Sequence, residues 1–415
     1  MRHDMKSGIR VGQVALAIAI AIGCSPVHSA RAGMPDQVRP GIDVLLTDSL
    51  HLIRGKRVGF VTNLAAVASD GESAVARMQS APIRLVALFG PEHGLTAAAA
   101  PGEKVASAID SVTRIPIYSL YGTTRRPTPA MLEGIDVLVV DLPDVGARYY
   151  TYPATTVEVM QAAAEAGIPV IVADRPNPIG GAMQGNILDM AHASSVGLLA
   201  VPMRHGLTLG EEARLATADL GISVDLTVVP ADHWQRDVTF EATGLPFRAP
   251  SPNLKDIESL FHYPGTCLFE GTALSVGRGT DLPFHQIGAP WLDTTAVLER
   301  VRRAHLPGVT FEGVSFTPHE PGDAKWADTP VRGIRLRMID ATRYDPTVTA
   351  VHLLAAVHAV HPDRIRLGGI FDKLAGGPSL REAVLRGESP DAIVASWARG
   401  LAAYRARVQP FLLYH

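Results

Sequence analysis

Glu92 stands between Pro91 and His93, directly after the apolar run Leu85-Val86-Ala87-Leu88-Phe89. A carboxyl that projects from an apolar strand end into a cleft can serve as a general acid. The same residue would serve equally well as a cap for the next helix or as the partner of an arginine. Glu270, in Cys267-Leu268-Phe269-Glu270-Gly271-Thr272, is a second carboxylate at the end of an apolar run, and it reads equally as a buried ion-pair partner. Asp144 heads a third polar loop, Asp144-Val145-Gly146-Ala147-Arg148-Tyr149-Tyr150. Arg148, Arg175, Arg204 and Arg278 could each hold a substrate carboxylate through two parallel hydrogen bonds, although most arginines serve surface pairs. His205, in Met203-Arg204-His205-Gly206, could position a substrate or polarise a bond, although a lone histidine is more often structural. Tyr149, Tyr150 and Tyr152 could stack on a sugar ring, although an aromatic cluster is more often core.

Other chemistries find no footing. There is no G-x-G-x-x-G after a strand and no G-x-x-x-x-G-K-[ST], so no nucleotide is implied. There is no H-E-x-x-H, the 15 histidines are not at zinc-ligand spacing, and no G-x-S-x-G elbow occurs. Cys267 has no partner that suggests thiol chemistry. No metal or organic cofactor is expected, and carboxylate-based hydrolysis is what elimination leaves.

The elements that must position these residues can be read from the apolar runs. Residues 57–62, 84–89, 136–142 and 169–173 are short, β-branched and nearly continuous in apolar character, as suits strands buried on both faces of a parallel sheet. Helix-like segments lie between or after them, most clearly 156–166 and 211–220. That alternation predicts an α/β chain with a Rossmann-like, mostly parallel sheet domain over residues 40–248. Asn63, Glu92, Asp144, and Arg175 with Asn177 in Asp174-Arg175-Pro176-Asn177-Pro178, then all fall after strand ends, where open parallel sheets bind ligands. Beyond 248 the stretch 246–291 is dense in Pro, Gly and aromatics and reads as loop. Strand-like 333–339 and helix-like 348–360 follow, with Ser379-Leu380-Arg381-Glu382 as a capping box and Gly387 as a helix stop. A smaller C-terminal α/β domain is expected over 249–415.

Residues 1–32 read as a signal peptide: Arg2, Lys6 and Arg10 precede an apolar stretch, 11–23, too short to span a membrane. Ala30-Arg31-Ala32 fits ordinary signal-peptidase cleavage, and Ala21-Ile22-Gly23-Cys24 is an imperfect lipobox that would leave Cys24 lipidated. The expected location is periplasmic or extracellular, on a membrane only if Cys24 carries lipid. Removing this segment takes away four of 38 Lys and Arg and one of 41 Asp and Glu, leaving 34 against 40 and a net charge of −6. That balance argues against nucleic acid as a partner. With Cys267 the one cysteine beyond Cys24, no intrachain disulfide is expected to support the exported fold.

From about Gly41 to the C-terminus the chain resembles the exo-β-N-acetylmuramidase family typified by NamZ. The resemblance is carried by Gly59-Phe60-Val61-Thr62-Asn63, Leu88-Phe89-Gly90-Pro91-Glu92-His93-Gly94, Tyr118-Ser119-Leu120-Tyr121-Gly122 and the Asp144, Asp174 and Met203 motifs above. It continues through Pro250-Ser251-Pro252-Asn253, Tyr263-Pro264-Gly265-Thr266, the Phe269-Glu270-Gly271-Thr272 run and Gly288-Ala289-Pro290-Trp291. It implies an exo-acting hydrolase that frees N-acetylmuramic acid (MurNAc) from non-reducing ends of peptidoglycan fragments such as MurNAc-GlcNAc, in a cleft between the two domains. Glu92 would be the acid, with His93, Asp144 and Glu270 beside it in the catalytic group. Asn63, Arg148, Tyr149, Arg175, Asn177, Arg204, His205, Asn253 and Arg278 would bind the sugar. The chain departs from the family pattern at Leu64-Ala65-Ala66, at Thr96-Ala97-Ala98 after Leu95, and at Pro143, Ala273 and Val276, where polar groups are replaced. Those losses leave open two further readings: a non-catalytic binder of cell-wall fragments, or a hydrolase of another amino sugar.

Overall fold

The computed structural model describes residues 37–100, 102–110 and 113–415; the expectations for the signal peptide and for Cys24 lie outside these described residues. Helix α1 (Gly41–Thr47) leads into β1 (Arg57–Thr62), α2 (Ala74–Ser80), β2 (Arg84–Gly90), β3 (Ala108–Ile109), β4 (Pro116–Ser119), α3 (Pro129–Leu132) and β5 (Val137–Asp141). Then come α4 (Tyr152–Ala166), β6 (Val170–Ala173), the antiparallel pair β7 (Gln184–Ile187) and β8 (Pro202–Arg204), α5 (Leu209–Asp219) and β9 (Leu226–Val229). The main sheet has the order β3-β4-β2-β1-β5-β6-β9 and is parallel except for β3 at its edge.

Burial on both faces explains the unbroken apolar runs. Along β5, Val137 and Val139 point into one core with Ile42, Leu45 and Met78 of α1 and α2. Leu138 and Val140 point into the other, with Leu132, Met160 and Leu215 of α3, α4 and α5. Helix α4 stops where Gly167 takes a left-handed conformation (φ 66°) and its N–H reaches back to the Ala163 and Ala164 carbonyls. Helix α5 starts on a reciprocal capping box between Thr208 and Glu211.

The second half holds α6 (Ile257–Thr266), β10 (Gln286–Ala289), α7 (Thr294–Arg303), β11 (Val309–Phe316), β12 (Val331–Met338) and α8 (Pro346–Val360). It ends in α9 (Phe371–Ala375), α10 (Ser379–Leu385), α11 (Pro390–Ser396) and α12 (Ala398–Val408). Its strands form a small antiparallel sheet, β10-β12-β11. Helices α6 and α8 cross so closely that a Cβ on Gly265 would lie 2.1 Å from the Pro346 carbonyl oxygen.

The α/β class, the mostly parallel sheet and the smaller second half agree with the sequence reading; two details differ. The stretch read as loop over 246–291 contains α6 and β10, with Pro264, which lacks the N–H a helix interior needs, in the last turn of α6. Ser379 is the first residue of α10, not its cap; Pro378 holds the cap position and no side chain caps the helix. Gly387 does end the segment, at φ 70°. Residues 37–415 pack as one compact unit in which the larger core runs through both halves. The end of the chain returns to the first half: α12 lies against β7, and the Tyr414 hydroxyl donates to Asp174 Oδ2 at 2.7 Å, just beyond β6.

Candidate active site

Strand β2 ends in a tight reversal. A Cβ on Gly90 would meet the Leu95 nitrogen at 2.8 Å, and His93 takes φ 103°, a conformation that L-residues rarely adopt. His93 Nδ1 lies 2.8 Å from the Ala99 carbonyl oxygen, so it donates there and leaves Nε2 as the acceptor. Burial holds the imidazole below its ordinary pKa; the Ala99 carbonyl and Glu92 oppose that effect, and Arg278 reinforces it. The Glu92 side chain is held from within the same loop, where Oε1 accepts the Gly102 N–H at 3.1 Å. Tyr121, just beyond β4, hydrogen-bonds to it as well; burial and the nearby carboxylate both raise the phenol above its usual value.

Below this loop the aromatic cluster is structural. Asn63 at the end of β1 is fully buried and donates through Nδ2 to the Tyr152 hydroxyl at 2.6 Å. That hydroxyl lies 3.0 Å from the Pro250 carbonyl oxygen and 3.5 Å from that of Glu92. Tyr150 also donates to Pro250, at 3.0 Å, and Tyr149 to the Pro264 carbonyl at 2.7 Å. These phenols tie the loop after β5 to α6 and to the segment before it, and none offers a face for stacking.

Arg278 approaches from the second half of the chain. Its Nε and Nη2 both lie 2.6 Å from Glu270 Oε1, its guanidinium covers the Phe284 ring at 5.0 Å, and Nη1 is buried without an acceptor. Burial would lower the Arg278 pKa, but the charge and hydrogen bond of Glu270 outweigh it and leave the guanidinium firmly charged. Beneath the pair, Lys325 Nζ donates to the carbonyls of Phe269, Glu270 and Leu274 at 2.8–3.1 Å and pins the turn that carries Glu270.

The loop after β5 builds a second charged group. Asp144 Oδ2 accepts the Gly146 N–H at 2.8 Å and lies 3.3 Å from His205 Nε2, while Oδ1 is buried with no partner. Asp144 and Arg175 line a small cavity of about 50 Å³ with Pro143, Pro250 and Leu260. The Arg175 guanidinium is itself held by Asp141 and the Val67 carbonyl.

An open cleft of about 1380 Å³ runs beside the Glu92 loop. Ala98, Ala100 and Glu103 of that loop form one wall, Asn253, Lys255 and Gly279 another, and the loop after β11, with His319 and Glu320, the far side. Residues 58–258 match the N-terminal model of the exo-β-N-acetylmuramidase NamZ, and residues 261–414 match its C-terminal model. The chain belongs to the NamZ family. It is 42% identical over 398 residues, 95% of each chain, to the peptidoglycan β-N-acetylmuramidase NamZ of Bacillus subtilis strain 168. Two crystal structures of DUF1343 family proteins from Bacteroides fragilis NCTC 9343 share the fold. One is 32% identical with a TM-score of 0.84, the other 30% identical with a TM-score of 0.75, and each match covers 91% of this chain and 99% of the other.

In this NamZ-family chain the residues singled out from the sequence separate into two groups. Asn253 lines the open cleft, Glu92 and His93 belong to the loop that forms one of its walls, and Arg278, paired with Glu270, lies close enough to His93 to act on its charge; Asp144 and Arg175 line a separate pocket. The others are engaged in the scaffold. Arg148 is buried and donates to the carbonyls of Asn186, Val201 and Leu374 at 2.7–3.1 Å, and burial pulls its pKa down to about 10. Arg204 donates to Gln184 and the Ile179 carbonyl and covers the Phe261 ring. Asn177 bridges the Leu207 carbonyl and the Ile179 N–H. Tyr121, Lys325 and Glu212 were not singled out. Tyr121 lies in a quoted motif, but Lys325 and Glu212 carry no local signal, since only the fold brings them to the site.

Proposed function

We propose that this chain hydrolyses the terminal β-linked MurNAc of peptidoglycan fragments such as MurNAc-GlcNAc, with Glu92 as general acid. Glu92 gives its proton to the glycosidic oxygen as the C1–O bond breaks, and water completes the hydrolysis at C1. The observation that carries this reading is the setting of Glu92. It is a nearly buried carboxyl at the end of a parallel strand, held by the Gly102 amide and the Tyr121 phenol, in the loop that forms one wall of the open cleft. Asp144, whose Oδ1 has no partner, is the better candidate for the second carboxylate, because Glu270 is committed to Arg278. Arg278 Nη1 is the cation that would meet the lactyl carboxylate of MurNAc. The basic-then-apolar order of residues 2–23 supports work outside the cytoplasm, where such fragments arise.

Protein lacking residues 1–32 should release nitrophenol from the β-MurNAc glycoside and not from the β-GlcNAc glycoside. Glu92→Gln, with its circular dichroism unchanged, should lose about 10²–10⁴ of that rate. Wild-type-like turnover in that variant would remove Glu92 from the mechanism. Tight binding of a muropeptide by calorimetry with no product from any glycoside would establish a binding role instead.

A further inference from the structure

His205 lies between two carboxylates. Its Nε2 is 3.3 Å from Asp144 Oδ2 and 3.8 Å from Glu212 Oε2, and the three side chains are almost fully enclosed. Asp144 Oδ1, Glu212 Oε2 and His205 Nε2 all lack a well-aligned hydrogen bond. On the other side of the ring, Nδ1 accepts the Leu207 N–H at 3.1 Å, so in the neutral ring Nε2 carries the proton and points at the carboxylates. That tautomer also counts against a metal ion at Nε2, which would need the proton on Nδ1. Two carboxylates around one neutral N–H cannot both stay ionised cheaply out of water.

We propose that Glu212 is a positioning residue which keeps its proton at neutral pH and, through His205, orients Asp144. The proposal rests on the reading of Asp144 as the second carboxylate of the hydrolase. Of the groups facing Glu212, Asp144 from the end of β5, Asp174 from the end of β6 and Glu211 beside it on α5 favour its neutral form, as burial does; His205 from the loop before α5 opposes them, and Tyr404 faces it from α12. Arg148 lines the same small cavity as Glu212, but its guanidinium is turned to backbone carbonyls. Glu211 is neutralised separately by Arg236. Burial, with the nearby negative charges, lifts the Glu212 carboxyl to about 8. Burial opposes the imidazolium form of His205, but the Glu212 and Asp144 carboxylates outweigh it and raise the ring above its ordinary pKa; the Leu207 N–H aimed at Nδ1 is the contact that favours the neutral ring.

The test is Glu212→Gln, an isostere of the protonated acid. At about pH 6.5 it should fold and keep kcat/KM for the β-MurNAc glycoside within about threefold of wild type, because the amide can still donate toward the ring. Above about pH 8 the wild-type rate should fall more steeply than that of the variant, by about a further tenfold per pH unit, because wild type loses one more proton in addition to that of the general acid common to both. A purely structural Glu212 would change the rate equally at every pH. Urea denaturation gives a readout independent of activity. A carboxyl raised in the folded state contributes stability that is complete below its unfolded pKa and is lost as pH rises through about 8. Wild type should therefore lose stability relative to Glu212→Gln between about pH 5 and about pH 8.5, a comparison in which Asp174 cancels. An identical alkaline fall in both proteins, parallel stability profiles, or a variant unfolded at about pH 6.5 would each overturn the proposal. If no glycoside is turned over, the proposed function fails, while the stability comparison still decides where the Glu212 proton resides.

Discussion

Arg278 meets Glu270 through one oxygen: Nε and Nη2 both close on Oε1 at 2.6 Å, while Oε2 lies 3.5 Å from the Cys267 thiol. The pair is 11% and 20% exposed at its side chains, so it is largely but not fully desolvated. This single-oxygen grip leaves Arg278 Nη1 unsatisfied inside the protein.

Removing the counter-ion should therefore be costly. Glu270→Ala leaves a nearly buried guanidinium without its carboxylate, which should cost about 2–4 kcal/mol, the lower part of that range reflecting the residual exposure. Chemical denaturation with a two-state fit would measure it. Arg278→Lys keeps the charge but loses the planar fork, and KM for the β-MurNAc glycoside should rise about tenfold, or 1.4 kcal/mol. An unchanged KM in Arg278→Lys would move the lactyl site elsewhere.

Arg148 should behave in the opposite way. Its guanidinium is enclosed by carbonyls from β7, from the residue before β8 and from the end of α9, so it joins the two halves of the chain. Arg148→Lys should lower stability by about 3 kcal/mol, since charge-assisted bonds to buried carbonyls are lost. KM of the protein that remains folded should not change. A thermal melt with a parallel Michaelis–Menten series distinguishes this from a substrate-binding arginine, which would raise KM.

The C-terminal tail is held to the sheet by Tyr414, whose hydroxyl donates to Asp174 at 2.7 Å and accepts the Ala231 N–H at 2.8 Å. Tyr414→Phe should cost about 1–3 kcal/mol, because both partners are buried and lose a bond. Burial lifts Asp174 to about 6, against 3.8 for the free side chain. Its contribution to stability is therefore complete below about pH 4 and is lost as pH rises through about 6. The Tyr414 hydroxyl favours the ionised form, so its removal should extend this loss to higher pH. Denaturation midpoints at several pH values between about 4 and 8 would show it; a constant difference from wild type would contradict the linkage.

Much of the first half was legible because a strand buried on both faces leaves an unbroken apolar run. Residues 57–62 agree with β1 to the residue, and 84–89, 136–142 and 169–173 agree with β2, β5 and β6 to within a residue at each end. Helix α6 was not legible, since Pro264 and the aromatic residues around it resemble loop composition. It forms because it is buried against α8, a long-range contact that no local window contains.

Among the candidate residues, Glu92 could be picked out because its setting is local, an apolar strand, a Pro, a carboxyl and a turn within a few positions, although the same pattern reads equally as a helix cap or an ion-pair partner. The sequence alone determined the α/β class, the loops at the strand ends and the carboxyl heading the second of them. Only the tertiary structure decided which polar residues face space and which face carbonyls. Arg148 and Arg278 are alike as sequence; Arg148 is surrounded by backbone acceptors from three segments, while Arg278 meets a single carboxylate, and each keeps one buried donor without a partner. Glu212 depends on the fold to the same degree, because its environment is set by His205 and Asp144, brought beside it from two other loops. Residue type sets what a side chain can do, and the partners left to it after burial set what it does.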